Sequence, residues 1–144
     1  MYKRILVPLE NGPADRTILD HVARLAPLLG AEVLLLHVAD GWAARNMEQL
    51  KLRESEELKE DRMYLEQVTR ELRGAGVAVD ALLAAGDPAK EIAAAAEREH
   101  ADLIAMATHG HSMLGDLIHG TTATALRHVS RIPILMVRAP APAP

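Results

Sequence analysis

The 144-residue chain contains no cysteine and no phenylalanine, and only one Trp and two Tyr. Without cysteine there are no disulfides, no thiolate nucleophiles and no cysteine-ligated zinc. So few aromatic rings leave little surface on which bases could stack as they do in RNA-binding modules. Excess positive charge is missing as well: 16 basic against 20 acidic residues give a formal net charge of -4, which repels a phosphodiester backbone and argues against nucleic-acid binding. No apolar run approaches a membrane span or a signal-peptide core, and the first, Ile5 to Leu9, stops at Glu10. A cytoplasmic protein with no membrane attachment is expected. At this length the chain should form one domain around one core of Leu, Ile, Val, Ala and Met, over residues 1–138. The Ala/Pro tail at 139–144 is expected to be disordered or extended.

What is present is an alternation of two patterns. Short continuous apolar runs, the mark of strands covered on both faces, occur at Arg4–Leu9, Val33–Val38, Val77–Leu83, Ala101–Met106 and Pro133–Val137. Between them, apolar residues recur at helical spacing. Ile18, Leu19, Val22, Leu25, Ala26 and Leu29 predict a first helix ended by Gly30, with Pro27 disturbing its last turn. Leu58, Leu65, Val68 and Leu72 give a single stripe on a long charged helix from Arg45 to Arg73, read as a solvated helix covering the sheet. Asp87-Pro88 supplies an N-cap and a first-turn proline for a helix reaching about Glu99, and 121–129 fits a last helix. This predicts an α/β fold, a five-stranded parallel doubly wound sheet flanked by four helices. Ligands are expected beyond the carboxyl ends of the strands, after the first or the fourth.

The loop after the fourth strand carries the chemistry. Gly110 and Gly120, separated by nine residues, let backbone approach a bulky anion, and the hydroxyls of Thr121 and Thr122 stand where a helix begins. Free N–H groups and hydroxyls at a helix start suit phosphate, although the same residue types also serve ordinary turns and caps. His109, His111 and His119 could be read as zinc ligands, but Asp116 is the only carboxylate near them in sequence, so no metal site is assigned. His37, within an apolar strand, reads as a hydrogen-bonded core histidine.

The stretch from Met106 to Val137 resembles the universal stress protein family, whose nucleotide-binding members carry glycine, two residues, glycine, nine residues, then glycine with Ser or Thr. Gly110, Gly120 and Thr121 fit, while Ala107 stands at the first glycine. Ile5-Leu6-Val7-Pro8 and Leu36-His37-Val38 are similar to the family too. The resemblance implies the sheet order 3-2-1-4-5 and binding of ATP, or AMP or ADP, with Mg²⁺. Pro8, Leu9 and Glu10 would line the ribose and adenine side, and Val38 would meet adenine through its backbone. Ala107, His109, Gly110, Gly120, Thr121, Thr122 and Ala123 would lie along the ribose and phosphates. At Glu10 the family has aspartate followed by Gly and Ser, where this chain has Asn11 and Gly12. At Ala107 an ordinary strand-end conformation would accommodate the methyl group.

The resemblance points to a stress-response regulatory protein that binds nucleotide, and the alternative is a nucleotide-free dimeric scaffold. No Walker A lysine follows a glycine, and Ser112 lacks the context of a nucleophilic serine, so turnover is expected to be slow or absent, at most a slow ATPase. A phosphoacceptor aspartate is also missing from the end of the third strand, Leu83-Ala84-Ala85-Gly86. The strand 133–137 would lie at the sheet edge with apolar residues on both faces, which predicts a homodimer joined there.

Overall fold

The computed structural model describes residues 1–40, 47–108 and 122–140. In chain order it contains β1 (Arg4–Leu9), α1 (Asp15–Leu29), β2 (Glu32–Asp40), α2 (Met47–Gly74), β3 (Val79–Gly86), α3 (Pro88–Arg98) and β4 (Leu103–Thr108). Helix α4, covering 122–129, and β5 (Ile134–Arg138) complete it. All strand pairs are parallel, in the order β3-β2-β1-β4-β5. Among the described residues no helix is long and apolar enough to cross a membrane.

The apolar runs are continuous because the sheet is covered on both sides. Ile5, Val7 and Leu9 of β1 pack with Ile18, Leu19 and Val22 of α1 and with Leu65, Val68 and Leu72 of α2. Leu6, one pleat away, packs on the opposite face with Ile92, Ala95 and Ala96 of α3 and Leu126 of α4. The helices change face between β3 and β4, so the chain's direction across the sheet reverses beside β1. The stripe read on the long helix is the sheet-covering face of α2, with Leu65, Val68 and Leu72 buried and Leu58 half-buried. At α3, the Asp87 carboxylate accepts from the Lys90 N–H at 3.1 Å and Pro88 opens the helix.

Three helices end in the same hydrogen-bonded turn, and this corrects two strand boundaries. After α1 the N–H of Ala31 donates to Ala26 O at 3.0 Å and that of Gly30 to Pro27 O at 3.3 Å. After α2, Val77 donates to Leu72 O and Gly76 to Arg73 O, both at 3.0 Å; after α3, Ala101 donates to Ala96 O at 2.9 Å and His100 to Glu97 O at 3.2 Å. Val77 and Ala101 are therefore buried anchors of helix ends rather than the first residues of strands, and β3 and β4 begin two residues later than their apolar runs. The disturbance expected at Pro27 is contained, because the helix runs on to Leu29 and closes with this turn.

The left-handed position of each turn is held by Gly30 (φ 65°), Gly76 (φ 88°) and His100 (φ 58°). Only the third carries a Cβ, which clashes with the following carbonyl in this region. His100→Gly is expected to raise unfolding stability by about 0.5–1 kcal/mol, the relief of strain exceeding the added entropy of the unfolded chain. Urea denaturation at pH 7 measures this, and a loss of stability would contradict the account of the turn.

Candidate functional site

A pocket of about 330 Å³ opens at the carboxyl ends of β1, β2 and β4, where the reversal beside β1 separates the helices. Pro8, Leu9 and Glu10 form one wall, Leu36, His37 and Val38 another, and Met106 with Ala107 a third. Pro88 and Ile92 of α3, Thr122 of α4, and Ala14 and Asp15 at the start of α1 close it. Six residues singled out from the sequence thus meet around one cavity: Pro8, Leu9, Glu10, Val38, Ala107 and Thr122. Ala123 is instead buried in the core beside Leu126, so only its main chain can face a ligand. His109, Gly110, Gly120 and Thr121 lie outside the described residues, as do His111, His119 and the tail from 141.

Ala107 sits within β4, paired with Val137, and is not among the residues with positive φ, so its methyl meets no backbone strain. The lining is mostly aliphatic, and Pro8, Leu36, Val38, Pro88, Ile92 and Met106 suit an apolar group. No lysine or arginine belongs to the described lining.

The polar side of the pocket rests on His37 and on three residues that the sequence does not single out, Asp15, Asp61 and Tyr64. Asp15, only 4% exposed, accepts the N–H groups of Glu10 (3.0 Å), Asn11 (2.8 Å) and Gly12 (3.3 Å), and the Tyr64 hydroxyl at 2.5 Å. It shapes the turn between β1 and α1, in which Asn11 takes φ 62°, and compensates for Ala14, whose side chain offers no helix cap. His37 is the buried, hydrogen-bonded histidine expected, and it also faces the pocket. Its Nδ1 lies 2.9 Å from Leu9 O and its Nε2 3.0 Å from Asp61 Oδ2, while Asn11 Nδ2 donates to Asp61 Oδ1 at 3.1 Å. Both ring nitrogens of His37 thus have partners within the protein. One signal was legible: Asp61 interrupts the stripe Leu58, Leu65, Val68, Leu72 at a helical interval, where a carboxylate needs a reason.

The sequence profile of the universal stress protein family matches residues 1–138. The chain belongs to this family. Among universal stress proteins it is similar to MJ0577 of Methanocaldococcus jannaschii, 30% identical over 158 residues, covering 96% of each chain. The solved structure of MJ0577 agrees with a TM-score of 0.85 at 30% identity, covering 97% of this chain and 98% of that one. A universal stress protein solved in complex with cAMP is 15% identical with a TM-score of 0.70, covering 95% and 97%. Another, from Archaeoglobus fulgidus in complex with dAMP, is 19% identical with a TM-score of 0.70, covering 94% and 98%. At those identities the last two share the universal stress protein fold.

Burial, and then the hydrogen bond to the Asp15 carboxylate and its charge, hold the Tyr64 phenol well above its ordinary range. A group raised in the folded state contributes stability below its unfolded value, about 10, and loses it as pH rises further. Tyr64→Phe is therefore expected to cost about 1 kcal/mol at pH 8 through the lost bond to Asp15. The gap between the two proteins should close as pH passes 10 towards 12. Denaturation at pH 8, 10 and 11.5 measures it, and a gap that widens with pH would refute the assignment.

Proposed function

We propose that this universal stress protein is a regulator that binds an adenine nucleotide, ATP in particular, in the pocket beside β1. The observation that carries the reading is the convergence of Pro8, Glu10, Val38, Ala107 and Thr122 on one mostly aliphatic pocket at the switch point. The pocket is continuous in sequence with the stretch bearing Gly110, Gly120 and Thr121. Adenine and ribose would occupy the pocket, and the phosphates would extend to that stretch and to the N–H groups of α4. The cAMP and dAMP complexes of proteins with the same fold support an adenine ligand. With no lysine or arginine in the described lining, Mg²⁺ carried on the phosphate oxygens would balance their charge, as that ion does with few protein ligands. Hydrolysis would be slow, because His37 and Asp15 have their polar atoms engaged within the protein.

Calorimetric titration with MgATP should show binding, and Gly120→Val should weaken it by several kcal/mol as charge-assisted hydrogen bonds of about 1.5–3 kcal/mol each are lost. Steady-state turnover should stay below about 1 per second. Absence of heat with ATP, ADP and AMP at millimolar concentration would overturn the reading.

The same reading includes a homodimer through β5. Met136 is 49% exposed on this edge strand, and Ile134 and Leu135 are half-buried. Antiparallel pairing with a second copy about a two-fold axis would satisfy the edge and cover Met136. Sedimentation at micromolar concentration should give twice the monomer mass, and Met136→Glu should give a folded monomer. A wild-type chain that sediments as a monomer would refute it.

A further inference from the structure

His37 touches two acceptors at once, and a neutral imidazole has only one N–H to give. Leu9 O, at 2.9 Å from Nδ1, is a main-chain carbonyl and can only accept. The Asp61 carboxylate, at 3.0 Å from Nε2, already accepts from Asn11 Nδ2 through its other oxygen. Both contacts are hydrogen bonds only when both ring nitrogens carry protons. The side chains are 10% and 17% exposed, so water offers little substitute. Of the titratable groups around it, Asp61 touches the ring from α2, Glu10 and Asp15 line the same pocket, and the Tyr64 hydroxyl is held on Asp15; Leu83 is its neighbour on β3.

We propose that His37 is a proton-dependent latch, which as imidazolium fastens the wall of the pocket formed by residues 9–11 to helix α2 and so couples ligand binding to pH. An anion is a stronger acceptor than a carbonyl, so the neutral ring keeps its proton on Nε2 against Asp61, and the proton that leaves for solvent is the one on Nδ1. Nδ1 then turns a lone pair on Leu9 O. Two acceptors in contact repel, and the root of the turn at Leu9 parts from the ring. Tyr64 and Asp15 still hold the turn from the other side, so the protein stays folded while one wall of the pocket loosens. Asp61 is thus a positioning residue acting through His37. The part of the inference that concerns nucleotide rests on the reading of the pocket given above; the latch itself does not.

Asp61→Asn separates the latch from mere scaffolding. An asparagine amide can donate to the bare Nε2 of a neutral ring and, with its oxygen, still accept from Asn11, so the variant needs no second proton. The affinity of the wild-type protein for MgATP should fall about fivefold or more from pH 5.5 to pH 8.5, the range in which histidines titrate. The affinity of Asp61→Asn should change by less than that and exceed the wild type's at pH 8.5. ATP's own ionisation is common to both proteins, so the difference between their profiles reports the latch. Without nucleotide, ¹⁵N spectra should show both His37 nitrogens protonated at pH 5.5. Amide exchange at Glu10, Asn11 and Gly12 should accelerate with His37 deprotonation in the wild type beyond the intrinsic pH effect, and not in Asp61→Asn. A neutral His37 ring at pH 5.5, or identical exchange profiles in the two proteins, would overturn the latch. If neither protein gives heat with MgATP at any pH, the nucleotide reading falls, and the spectra and exchange still decide the latch.

Discussion

Everything at the candidate site depends on β1 being the central strand of a wholly parallel sheet. A strand with parallel neighbours on both sides receives no hairpin, so each connection must cross over a face of the sheet. The crossovers to β2 and β3 use one face and those to β4 and β5 the other. Where they diverge, beyond Leu9 and Met106, the described starts of α1, α3 and α4 stand around the strand ends and leave a pocket between them. The cavity is thus a product of topology, and the side chains there only decide what it accepts.

The two ends of the sheet are built differently. At the amino ends of the strands, polar contacts close the surface: the Asp102 carboxylate accepts the N–H groups of Lys3 and Arg4 at 2.7 and 3.0 Å, and Arg4 bridges to Glu32 at 2.7 Å. Against its own desolvation, those backbone N–H groups keep the Asp102 carboxyl below its ordinary range. At the carboxyl ends, carboxylates are instead used to hold loops in shape around a space. Asp15 and Asp61 both direct their oxygens at the turn after β1.

The element order, the two-sided burial of the strands and the caps at Asp87 and Gly30 were legible in the sequence, because each depends on residues near one another in the chain. The starts of β3 and β4 were not. Val77 and Ala101 look like strand residues by composition, and their role is visible only once Leu72 O and Ala96 O are known to need a donor. Half of the site was legible as strand ends and, with a resemblance, as a motif. The remainder is non-local: Tyr64 and Asp15 lie 49 positions apart, and His37 and Leu9 28 apart. No periodicity connects such pairs, although Asp61 on an apolar stripe was a sign that something polar waited opposite.

The turn after β1 takes its shape from Asp15, which binds main-chain N–H groups and not the side chains of residues 10–12. Conformation and recognition are therefore carried by different atoms. Gly12, where an added Cβ would meet nothing within 4 Å, can be exchanged for another residue with little effect on the path of the chain, so long as the carboxylate behind it stays. Such a loop resembles a fixed mount with interchangeable fittings, and it gives a lineage room to change what the pocket selects without first having to invent a new loop.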